Sequence, residues 1–258
     1  MELPQILAEL SVAEEREKIE QLLQDTLQQL LCCYKISVCG IDVFPIEVES
    51  YFYRQGVFED PYVHSNELQM NHFGELYIHR RGRRSTDPYK MDNRVCMGIS
   101  LSTADTYYYS ALVRSALFAD GTSLFGPNTV LTHLMQQVNA QTGLLDAEYF
   151  TRRHAGTFEL SKLFPLVEHQ RVLQPTATSA DPRDKTYLLQ GPRIGLGPLD
   201  AYYRELPLRQ CAGRLSKEFA FKEKTELLHR YLASHCLSPE EAKQTERALK
   251  APTASPRS

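Results

Sequence analysis

The sequence predicts an α+β fold, a single domain on a curved, mainly antiparallel β-sheet with flanking N- and C-terminal helices. Apolar residues recur at helical spacing near both ends, whereas from Lys35 to about Cys211 they fall in short β-type runs separated by turn residues. A chain of 258 residues is also long enough for one sizeable core of mixed type. The expected division is residues 1–34 as an N-terminal amphipathic helix packed on the core and 35–213 as the α+β domain. Residues 214–249 follow as C-terminal helices, and 250–258 as a disordered tail.

From Val12 to Leu31 the apolar positions Val12, Ile19, Leu22, Leu23, Leu27, Leu30 and Leu31 mark one amphipathic helix, with Ser11 as its N-cap and EERE in its first turn. The charge run Glu14 to Lys18 is its solvated face. Strands are then expected in YKISVCGIDVFPIEVESYFY, GELYIHR, RVCMGISLS, YYYSALVRSALF and KTYLLQ. Helical stretches intervene near Asn128 to Gln141 and from Asp146 to His154. RRGRRSTDPYK and QPTATSADPRDK collect Ser, Thr, Asp and Pro and read as loops. After Gly213 the pattern turns helical in KEFAFKEKTELLHRYLASHC and again in SPEEAKQTERALK, where Ser238 and Pro239 suit the N-cap and first helical position.

Composition narrows the function classes. With 42% hydrophobic and 24% charged residues the chain sits near globular averages, which excludes disorder beyond its tips. No apolar run approaches the roughly 18 to 20 residues of a membrane span, and MELPQILAELSVAEE is acidic where a secretory signal is basic. The expectation is an intracellular protein without a membrane partner, cytoplasmic in a bacterium or nuclear in a eukaryote. The six cysteines, Cys32, Cys33, Cys39, Cys96, Cys211 and Cys236, form no CxxC pair and have no histidines at finger spacing. Neither structural zinc nor a disulfide framework is expected, and most of the thiols should be buried. A net charge of −3 confines any nucleic-acid surface to a local patch.

Four stretches carry candidate chemistry. In IEVESY, Glu47, Glu49 and Tyr51 share one strand face and Val48 and Ser50 the other. Propensity alone makes the carboxylate face solvent, while Tyr51 and the Asp60 to His64 pair suit a pocket. Between His79 and Arg94 lie Arg80, Arg81, Arg83, Arg84, Lys90 and Arg94 against Asp87 and Asp92, a local excess of four charges (6 − 2). This segment is either a solubilising loop or, with Tyr89 beside it, a phosphate contact. In ALVRSALF, Arg114 inside an apolar strand calls for a carboxylate partner, with Glu47 and Glu49 as candidates. LQGPRIGLG, with Arg193, suggests close backbone approach and is not a dinucleotide fingerprint. His64, His72 and His79 form no compact ligand motif, so no metal and no other cofactor is expected.

In chain order EVESY, DPYVH, GELYIH, VCMGI, ALVRSAL, FGPNTVL, GPRIGL and PLR resemble the alkyladenine (3-methyladenine) DNA glycosylase family. That family shows ETEAY, an Asp and His four apart, a GTLYVY strand, CMNI, VLLRA, a GP turn opening a helix, PRIGI and PLRFY or PWRFY. The resemblance spans about residues 37 to 212.

It implies a monofunctional N-glycosylase acting on alkylated or deaminated purines, hydrolysing the N-glycosidic bond without cutting the strand. By that resemblance Glu49 matches the glutamate that activates water, and Arg114 the arginine that orients it. Tyr51, His64 and His79 match walls stacking on a flipped base. Departures are Gly98 at the pocket asparagine and the longer RRGRRSTDPYK loop at the hairpin bearing the wedge tyrosine, where Tyr89 is a candidate substitute. The implied partner is damaged duplex DNA, met by Arg80, Arg81, Arg83, Arg84, Tyr89 and Lys90, and the implied state a monomer. The alternatives are a non-catalytic nucleic-acid binding protein on the same fold, or an N-glycoside hydrolase acting on nucleosides or modified RNA.

Overall fold

The computed structural model describes residues 1–90, 95–151, 157–177 and 181–252. Asp92 and Arg94 of the basic segment, His154 at the end of an expected helical stretch, residues 178–180 of the second polar loop and the tail from 253 onward lie outside the described residues.

The N-terminal segment is two helices rather than one, α1 (Leu3–Val12) and α2 (Arg16–Cys33). Leu3, Ile6, Leu7 and Leu10, at helical spacing of their own, bury the inner face of α1, with Pro4 tolerated in its first turn. Ser11 is therefore not an N-cap; it lies in the last turn of α1, and its hydroxyl donates to the Ala8 carbonyl at 2.7 Å. Residues 13–15 form the break, and α2 starts behind Glu15.

The fold is α+β, with a curled antiparallel sheet forming a half-barrel. Its strands are β1 (Tyr34–Val38), β2 (Ile41–Arg54), β3 (Phe58–Glu59), β4 (Leu76–Ile78), β5 (Met97–Ser100), β6 (Tyr108–Phe118), β7 (Ser123–Phe125), β8 (Leu173–Pro175), β9 (Leu188–Gly191) and β10 (Arg209–Ala212). The main path runs β4-β5-β6-β2-β1-β8, while β3 and β10 also pair with β2, β7 with β6, and β9 with β10. The 14-residue β2 is the spine: β6 follows nearly its whole length, and β1, β10 and β3 take successive parts of its other edge. The short strands β3, β7 and β8 carry too few residues for a two-residue period to register, and β8 claims part of the second polar loop.

Val48 and Phe52 of β2 join the main core together with Leu23, Leu27 and Leu30 of α2. The chain also forms α3 (Pro127–Thr142), α4 (Thr157–Leu160) and α5 (Ala201–Glu205). A second apolar cluster joins Ile46, Leu189 and Cys211 of the sheet to Leu227 and Leu228 of α6 (Lys224–Ser234) and Leu249 of α7 (Pro239–Lys250). Gly191 permits this docking, since a Cβ there would lie 2.9 Å from Leu227 Cδ2. α6 starts later than the helical pattern from Lys217 suggests: Phe219 and Phe221 turn inward onto Phe125, and Glu223 is left-handed at φ 56°. α7 opens at Ser238, whose amide donates to the Glu241 carboxylate at 2.9 Å, closing a capping box.

Contrary to expectation only Cys96 and Cys211 are buried, and none of the six cysteines is joined in a disulfide. Among the described residues no helix is long and apolar enough to cross a membrane.

Candidate active site

The face of β2 that propensity would leave in water is buried. Glu47 is 3% exposed and Glu49 not at all, because β6 and β10 flank them and supply cations. The supply depends on a bulge: the β2–β6 register passes from Glu47↔Ser115 to Val48↔Val113 and skips Arg114. Skipped residues are re-aimed. Arg114 lies between both carboxylates, with Nη1 3.2 Å from Glu49 Oε1 and Nε 3.3 Å from Glu47 Oε1. Both candidate partners are thus used. Arg209 Nε donates to Glu47 Oε1 at 2.8 Å, so two carboxylates and two guanidinia balance in one buried group. The Ser115 hydroxyl completes the shell of Glu47.

Glu49 has two further donors. The Ile194 amide donates to Oε1 at 2.7 Å and the Tyr51 hydroxyl to Oε2 at 3.0 Å. The Ile194 donor comes from the LQGPRIGLG segment, held by Arg193. The Arg193 guanidinium is buried: Nη1 is 2.6 Å from Asp60 and 3.2 Å from the Ser50 carbonyl, and Nη2 donates to the Tyr203 carbonyl at 2.9 Å. It also lies 4.8 Å from the centre of the Tyr51 ring. The Asp60 to His64 pair therefore divides, Asp60 turning inward to Arg193 and His64 to a cavity.

That cavity is about 630 Å³ and is lined by Tyr51, His64, Tyr77, His79, Lys90, Gly98 and Arg114 together with Gln69, Asn128, Ile194 and Lys222. Glu49 is set one layer behind, reaching the cavity through Tyr51, Arg114 and Ile194, which touch both. Residues 126–129, where α3 begins, add a helix N-terminus to the wall. Gly98 lets the wall close up, since a Cβ there would lie 2.8 Å from the Ala111 carbonyl oxygen on β6. An asparagine at this position would force β5 and β6 apart.

Burial sets the protonation of these groups. It pushes the Glu49 carboxyl above its ordinary 4.5, outweighing Arg114, Ile194 and Tyr51, which pull it down. Burial likewise pushes Tyr51 well up and, with His64 and Lys90 adding repulsion, His79 down to about 3. His64 is lowered too, by desolvation and then Lys90. The two imidazoles meet edge to face at 4.2 Å as neutral rings.

The basic segment splits. Arg81, Arg83 and Arg84 are exposed, and the Asn66 and Glu67 backbone and side chains clamp their loop beside His64: Asn66 Nδ2 donates to Gly82 and Arg84 carbonyls at 2.6 and 3.0 Å. Arg80 is not offered to a phosphate. It is buried, 2.6 Å from Glu168 and 4.1 Å from the centre of the Tyr89 ring. Tyr89 donates to the same carboxylate at 2.5 Å and packs on Phe164, so it is not a projecting wedge. Lys90 faces the cavity instead.

Glu168, the Ile194 amide and Lys222 escape a reading by sequence. A backbone donor leaves no trace in residue type, and neither Glu168 nor Lys222 belongs to a motif. No protein-family model matches the chain, and no curated protein does either.

Proposed function

We propose that the chain is a monofunctional DNA N-glycosylase that removes alkylated or deaminated purines. The observation that carries this reading is the buried Glu49–Arg114 pair behind a cavity walled by Tyr51, His64 and His79. A flipped purine stacks between these rings, whose faces offset the few kcal/mol that unstacking costs. A water donates its proton to Glu49 while its oxygen bonds the anomeric carbon. The N-glycosidic bond breaks, and its electron pair leaves with the base. A cationic alkylpurine leaves neutral; a deaminated purine takes up a proton.

In the resting geometry the Tyr51 hydroxyl holds Glu49 Oε2, the position the water needs. Substrate entry displaces it. Arg81, Arg83 and Arg84, clamped beside His64, meet the phosphates flanking the extruded nucleotide, with the α3 N-terminus and Lys222 complementing negative charge. The reading needs no cofactor, treats the protein as a monomer, and locates it with DNA inside the cell.

One observation favours a second reading, an N-glycoside hydrolase acting on nucleosides or unpaired, modified RNA. Tyr89, the aromatic residue of the basic loop, is committed to Glu168 and Phe164 and cannot fill the gap left in a duplex.

Base release from duplexes, single strands and free nucleosides containing 7-methylguanine, 3-methyladenine, hypoxanthine or ethenoadenine tests both. Release by the intact protein that disappears in Glu49→Gln supports the mechanism, and the preferred strand state separates the two readings. If neither protein releases a base while both bind DNA equally, catalysis is refuted and a binding role replaces it.

A further inference from the structure

His64 and His79 meet at the cavity, whereas His72 meets Glu75, three residues on, and His169, far along the chain. The His72 Nδ1 lies 2.9 Å from Glu75 Oε2, and His169 Nδ1 lies 3.7 Å from the same oxygen. One ligand atom from each residue lies within 4.8 Å of the others. None of the three lines the Glu49 cavity. We propose that His72, Glu75 and His169 form a binding site for a divalent metal ion of the zinc type.

The donor set and the spacing support this. Two imidazoles and one carboxylate are a three-ligand zinc set that leaves a fourth position for water. With metal–ligand bonds of about 2.0 to 2.1 Å, ligand atoms of a tetrahedral ion lie about 3.3 Å apart. The two contacts to Glu75 bracket that value, and the two histidine ligand atoms lie within 4.8 Å of each other. A histidine–carboxylate salt bridge explains one imidazole on Glu75; it gives no reason for a second Nδ1 turned to the same oxygen.

The backbone frame is preset. The Glu75 amide donates to the His72 carbonyl at 3.0 Å, and Glu75 forms a bridge with Arg171. The Val172 amide donates to Gly74 at 2.9 Å and the Leu76 amide to Gln170 at 3.2 Å. The two arms of the site are therefore already hydrogen-bonded to each other. His169 and Asn71, which precedes His72, both hold left-handed backbone, at φ 62° and 51°. His169 also follows Glu168, the anchor of Arg80 and Tyr89, so a bound ion would clip that anchor to the start of β4.

The test is titration of the full-length protein with zinc(II) by calorimetry and with cobalt(II) by visible absorption, beside Glu75→Gln and His169→Ala. The expected result is one ion per chain, tetrahedral cobalt bands without thiolate charge transfer, and at least a tenfold loss of affinity in either variant. Zinc should also raise the urea midpoint of the intact protein and not that of the variants. Equal affinity in all three proteins, thiolate bands that assign the ion to exposed cysteines, or no binding at millimolar metal would each overturn the proposal.

Discussion

The Asp60–Arg193 pair holds two opposite charges wholly out of water. Both side chains are fully buried and lie 2.6 Å apart. Asp60→Asn keeps the acceptor for the Tyr62 amide, which donates to Oδ1 at 3.0 Å, but strands a buried guanidinium against an amide donor. Breaking one side of such a pair costs about 3 to 5 kcal/mol. With a urea m-value of roughly 3 kcal/mol per molar, that moves the unfolding midpoint down by about 1 to 1.7 M. Arg193→Met strands the carboxylate and also removes donors from the Ser50 and Tyr203 carbonyls, about 1 to 3 kcal/mol each. In the double variant no charge is left unpaired and only the carbonyl losses remain. Burial raises Asp60 above its ordinary 3.8 in spite of Arg193, so the attraction within the pair does not fully offset its desolvation. The two single losses should therefore exceed the double loss by at least about 2 kcal/mol. Urea unfolding of the four proteins measures this, and additive losses would refute the coupling.

The acid limb of the base-release rate should lie above pH 4.5, since Glu49 acts ionised and its carboxyl is raised; in Arg114→Gln, which removes the largest lowering influence, the limb should move higher still. A limb at or below 4.5 in a pH–rate profile contradicts the assignment. Tyr51→Phe keeps the stacking face and frees Oε2, so single-turnover rates should stay within about tenfold of the intact protein, whereas Tyr51→Ala should lose about a hundredfold or more. Equal losses in the two would show that the hydroxyl, and not the ring, carries the function. His79 is held near 3, so below pH 6.5 the unfolded chain binds a proton that the folded one does not, and stability falls as the pH falls. Urea midpoints at pH 7 and 5 should show that His79→Phe removes up to about 1.4 kcal/mol per pH unit of this slope. An unchanged slope would mean that His79 titrates normally.

The sequence by itself determined the class of fold, because the two-residue and 3.6-residue periods of apolar side chains are local properties that burial on one face imposes. Helices at both ends, the central run of strands and the Ser238 cap are legible in this way, whereas Glu49, Tyr51, His64 and Arg114 are drawn together by their residue types and by the resemblance to a glycosylase family, not by any period. What only the tertiary structure decided is which partners they meet. The skipped register at Arg114, the inward turn of Asp60 to Arg193 and the capture of Arg80 and Tyr89 by Glu168 depend on strands and loops distant in sequence. The face bearing Glu47 and Glu49 reads as solvent for the same reason. A carboxylate becomes affordable inside a protein only when remote cations and donors are delivered to it, and no local period encodes that delivery.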